Sequence, residues 1–133
     1  MSMLKSIIKS QRGQAMVELA IVLPILLLII FGIIEFGSIY ATDLAINNAA
    51  REGARAAALG APDEDITIIV NDRCSFLDTT KLSLEITPVQ LERISGNPVT
   101  INLEYPVEIN IPIISAITGN PYIVTAQVVM RAE

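Results

Sequence analysis

Glu18 is the only ionisable side chain between Arg12 and Glu35. It heads Leu19–Ile34, sixteen residues without a charge that would rise ~24 Å as a helix. Counting from Gln14 brings the length to ~31 Å, about the thickness of a bilayer's hydrocarbon core. A carboxylate in that position is costly unless it reaches the headgroups or finds a partner. Its chemistry is therefore pairing, not catalysis. A second group of charges is Arg51, Glu52 and Arg55. On a helix the two arginines share a face, and Glu52 can pair with Arg55. Such a group is either a solvated, salt-bridged face or a docking surface for an acidic partner. Asp63-Glu64-Asp65 has neither the alternating acids, the central glycine nor the distal glutamate of a calcium loop. It suits the first turn of a helix, where acids meet the helix dipole favourably. Cys74 follows apolar residues at helical spacing, so it reads as a small core residue, with a reactive thiol or an intermolecular bridge as the alternative.

The counts exclude much else. There is no histidine and only one cysteine, which removes a histidine-based triad, a zinc cluster and an internal disulfide framework. Ser and Thr have no evident activating partner, and the carboxylates are scattered. The glycines are isolated, so no phosphate loop is present. No enzyme, cofactor, metal or small-molecule substrate is expected. Lys5, Lys9 and Arg12 hold three of the nine basic residues, which leaves six basic and fourteen acidic residues, a net −8, from Gln14 onward. That acidic remainder argues against a nucleic-acid partner.

The elements that carry these residues follow from periodicity. A continuous helix is expected from about Gln14 to Leu59, closed by Gly60 at the C′ position and Pro62 beyond it. Pro24 frees a backbone carbonyl and suggests a modest kink, while Gly32 and Gly37 would allow close helix approach. In the outer half, Ala41, Ala45, Ala49, Gly53 and Ala57 recur every four residues, flanked by Leu44, Ile46 and Ala50. This small-residue ridge must pack on its own domain or on neighbouring subunits. A second helix is expected from Asp63 to about Leu77. Leu82, Leu84 and Ile86 then alternate with polar residues, as do Val99, Ile101, Leu103, Tyr105, Val107 and Ile109, and the even positions from Tyr122 to Met130. Three antiparallel strands are predicted. Pro106 suggests an edge or bend, and Pro112–Pro121 an apolar connection ending in a turn. About 73 residues outside the long helix make a marginal core that benefits from docking against another element.

The first thirteen residues contain three cations and no acid. They read as a cytoplasmic tail that orients the segment by the positive-inside rule. A secretory signal is disfavoured by the long apolar run and by the lack of a small-x-small cleavage site. They also resemble a type IV prepilin leader: short, basic, ending in Gly13, with Glu18 as the fifth residue after it. RGQAMVELAIVLPILLLIIFGIIEFG from Arg12 and AAREGARAAALG from Ala49 to Gly60 resemble TadE-like proteins of the tight-adherence (Tad, Flp) pilus system. So does the close of the last strand at Met130-Arg131-Ala132-Glu133.

The resemblance implies a pseudopilin, or minor pilin, cleaved between Gly13 and Gln14 by a membrane prepilin peptidase. Its partners would be other pilin subunits and the pilus assembly platform, and Glu18 would neutralise the new amine on Gln14. The expected architecture is α+β: a leader (1–13), a long transmembrane and stalk helix (14–60) and an extracytoplasmic head (61–133). The head would contain one short helix and a three-stranded antiparallel sheet. The competing readings are an uncleaved, membrane-anchored binding or adhesion domain and an accessory subunit of another secretion machine.

Overall fold

The computed structural model describes residues 2–133, with side chains described from Gln11 onward. Lys5 and Lys9 of the basic leader lie outside the residues whose side chains are described. Helix α1 runs from Ser2 to Ala58, 57 residues or ~85 Å at 1.5 Å per residue. It continues through Pro24 and starts upstream of the expected Gln14. It stops where glycine chemistry requires. Gly60 has a φ of +84°, a left-handed conformation in which a side chain would be strained. The Gly60 amide donates to the Ala57 carbonyl at 3.1 Å, and the Ala61 amide to that of Ala56 at 3.0 Å. These two bonds form a Schellman motif, which satisfies carbonyls left open at the helix end.

Helix α2, Asp63–Arg73, opens with Asp63, Glu64 and Asp65 in its first turn. It ends earlier than the expected Leu77, because the chain after Cys74 closes into turns, with the Leu77 amide donating to the Cys74 carbonyl at 2.9 Å. Strands β1 (Ser83–Thr87), β2 (Pro98–Val107) and β3 (Tyr122–Arg131) follow. They form an antiparallel meander with β2 in the centre. The register sets Leu84 against Leu103 and Leu103 against Ala126, and likewise Ile86, Ile101 and Val128. These rows lie on the face that packs beneath α1 and α2, where Ile101 and Leu103 are fully buried. The opposite face carries Glu85, Asn102 and Gln127 in one row, the polar side of a sheet covered on one face only. Pro106 sits on the central strand, yet pairing with β1 ends at Glu104. Beyond that point β2 has β3 alone as neighbour, and a missing donor is tolerated there.

The segment expected as an apolar connection is instead a short helix, α3, Pro112–Thr118, with proline in its first turn. The head therefore has two α-helices beside its sheet, not one. The fold class is α+β, as the sequence implies. Its core includes the outer half of α1: Ile46, Ala49, Ala50, Ala54 and Ala57 are fully buried with Ile66, Val70 and Cys74 of the α2 region. Between the two alternatives for the helix ridge, this chain packs it on its own head.

Candidate assembly surfaces along the long helix

From Gln11 to Ile34 every residue of α1 is exposed except Gly32, which is half-buried. Leu, Ile, Val and Phe side chains thus point outward all round the helix. A helix apolar on every side is either buried in protein or surrounded by lipid, and this stretch is long and apolar enough to cross a membrane. At its N-terminal end Gly13 lies within the helix, and a side chain there would meet nothing within 4 Å. The Gln14 side-chain amide donates to Glu18 Oε1 at 3.3 Å. Positions four apart share a face, so the carboxylate is directed back toward the start of the apolar run.

The C-terminal end of this run carries a second carboxylate, one that no periodicity singles out. Glu35 is 9% exposed, and its Oε1 accepts the backbone N–H of Asn110 at 3.0 Å. Buried carboxylates need such partners. The available signal was its position: Glu18 and Glu35 bracket the uncharged run.

On the outer half, Ala45, Ala49, Gly53 and Ala57 are buried, whereas Ala41 and the flanking Leu44 are exposed. The expected ridge is therefore too long by one turn. A residue every four positions advances 400°, so each step drifts ~40° round the helix and four steps drift ~160°. The stripe that actually faces the head alternates steps of three and four. It runs through Glu35, Ile39, Thr42, Ile46, Ala49 and Gly53, with Ala50 and Ala54 beside it. A Cβ on Gly53 would stand 3.0 Å from Val70 Cγ2 and 3.5 Å from Ile66 Cγ2. At this glycine α2 packs directly on α1, with no room for a larger side chain.

Arg51 and Arg55 are both exposed. Among the described residues neither they nor Glu52 takes part in an ion pair. Arg51 and Glu52 line an open cleft with Leu44, Ala45, Arg73 and Phe76. Cys74 is a fully buried free thiol, and desolvation raises its pKa, so the thiolate that reacts is suppressed. Asp78 has its pKa lowered by the hydroxyl and amide of Thr80. Lys81 has its pKa raised by Glu108, 3.2 Å away.

Arg93 is the other residue that periodicity could not single out. Its side chain is 6% exposed and paired with Asp63. It also donates to the Ala61 carbonyl at 2.8 Å and the Pro88 carbonyl at 3.3 Å. One guanidinium thus ties the β1–β2 connection to the α1–α2 turn. The C-terminus closes on the same end, where the Glu133 amide donates to the Ala58 carbonyl at 2.9 Å.

The geometry thus presents a lipid-compatible rod with a carboxylate at each end, carrying a head packed on its outer half. No curated protein and no solved structure matches the chain. Residues 13–55, which lie within the long helix, match the family model of TadE-like protein, so the similarity covers the helix and not the head.

Proposed function

We propose that the protein is a structural subunit, a minor pilin or pseudopilin, of a tight-adherence (Flp-type) pilus assembly system. In this reading α1 crosses the cell membrane once, with the basic leader in the cytoplasm and the α+β head outside. A prepilin peptidase removes residues 1–13, and the mature chain joins other pilin subunits through the assembly platform. The protein is substrate and building block, with no catalytic role. The observation that carries the proposal is the ordered set Gly13, Gln14 and Glu18 at the head of the uncharged run, inside the segment with TadE-like sequence.

N-terminal sequencing of the chain from membranes of cells with an active prepilin peptidase tests it. The expected mature terminus is Gln14. Replacing Gly13 with a bulky residue should leave a precursor thirteen residues longer, because the scissile position accepts no side chain. A wild-type chain that retains its leader in such cells would favour an uncleaved, anchored binding domain.

A further inference from the structure

We propose that α3 is an interfacial helix. It lies in the headgroup region of the bilayer that α1 spans, on the head side, and rests the head on the membrane. The inference depends on the membrane reading of α1 given above.

Three observations converge on it. The first is position. The bond from Asn110 to Glu35 holds the chain two residues before α3 at the outer end of the uncharged run. Ile114 Cδ1 would lie 3.9 Å from a Cβ on Gly32. The Asn120 side chain closes the loop from the other side, accepting from the Ile109 amide at 3.1 Å and donating to its carbonyl at 3.2 Å. So α3 is pinned at both ends, level with residues 32–35 of α1. The second is the face it turns outward. Ile113 and Ile117, four apart and on one side of the helix, are 59% and 81% exposed. No charged residue occurs between Glu108 and Arg131, so α3 and its flanks carry no charge of their own; the exposed Lys81–Glu108 pair lies just beyond them, lining a cleft with Asn120 and Pro121. The third is aromatic. Phe36, Tyr40 and Tyr122 are exposed and line one cleft between α1 and the start of β3. Aromatic side chains concentrate at the headgroup level of membrane proteins. Lipid is the occupant because the apolar face of α3 continues the exposed surface of α1, which is uncharged up to Ile34. Exposed apolar side chains held at this level are buried at the boundary between headgroups and acyl chains.

The chain has no tryptophan, so one introduced indole is the sole reporter. The full-length protein is reconstituted in phosphatidylcholine–phosphatidylglycerol vesicles whose acyl chains carry bromine close to the carbonyl. Three variants are compared. Ile117→Trp reports on α3 and Phe31→Trp on the membrane run. Leu91→Trp, at a site 97% exposed near the far end of α1, serves as the aqueous control. The expected result is blue-shifted emission from Ile117→Trp, with quenching by brominated lipid several-fold stronger than for Leu91→Trp and weak quenching by aqueous iodide. Iodide quenching equal to that of Leu91→Trp would overturn the proposal. So would protection from iodide without quenching by brominated lipid, since a second protein copy would then be the cover. In both cases quenched Phe31→Trp leaves the membrane span standing. Unquenched Phe31→Trp instead removes the span itself and the proposal with it.

Discussion

Glu18 and Gln14 share a face of α1, joined by a 3.3 Å side-chain hydrogen bond. Under the proposed processing, cleavage after Gly13 turns the Gln14 backbone nitrogen into a charged amine four residues from this carboxylate. The pair closes within one helix or between adjacent subunits, and in the second case it sets the register of an incoming subunit. Glu18→Gln is therefore expected to insert and be processed, yet to co-purify poorly with pilus subunits, because an amide cannot balance the amine's charge. Normal incorporation of that variant would leave Glu18 as a carboxylate that simply reaches the headgroups or favours the helix N-terminus. Arg93 gives a prediction of a different kind. Its guanidinium serves Asp63 and two carbonyls from a nearly dry position. Arg93→Met keeps much of the apolar stem and removes every donor. Hydrogen bonds to charged groups contribute ~1.5–3 kcal/mol each, and Asp63 is partly solvated, so a total loss of about that range is expected. Chemical denaturation of the detergent-solubilised protein would measure it, and an unchanged midpoint would show that the clamp is only decorative.

At the scale of elements, legibility followed periodicity. The continuity of α1 from Gln14 onward, its stop at Gly60 and the phases of β2 and β3 were all written in apolar spacing and in turn residues, whereas its start at Ser2 was not. What escaped had no period to reveal it. The α3 segment, PIISAIT, is short and apolar on most sides, so a helix and a connection look alike in the sequence. A four-residue repeat is not parallel to the helix axis, so Ala41 and Leu44 lie off the surface that faces the head. Glu35 and Arg93 depend on partners 75 and 30 residues away, a separation that no local pattern encodes. Gly53 tests the α1–α2 contact. Alanine would gain ~1 kcal/mol of helix propensity, but its Cβ would press on Val70 at 3.0 Å. Gly53→Leu should cost ~1–3 kcal/mol through overpacking, and Gly53→Ala less. If the clash with Val70 is the cause, Val70→Ala should be less damaging in the Gly53→Leu background than alone. Additive effects in that double-mutant cycle would assign the cost elsewhere.

For the whole molecule, the division into stalk and head follows the chain but not the packing. The sequence invites a boundary at Ala61, after the long helix. Yet Ile46, Ala49, Ala50, Ala54 and Ala57 are completely buried, and they are the surface against which β2 and α2 close. Without them Ile66, Val70, Ile101 and Leu103 would face water. Burying one such aliphatic side chain contributes ~1.5–3 kcal/mol, and small domains have total stabilities of only ~5–15 kcal/mol, so losing cover for several removes the fold. A fragment of residues 38–133 is therefore expected to give dispersed amide NMR signals and a cooperative thermal transition. A fragment of residues 61–133 should give neither. The long helix is then continuous from the uncharged run into the core, so head and rod are coupled through one unbroken element. A folded, cooperative 61–133 fragment would refute that coupling and return the outer half of α1 to the role of a stalk.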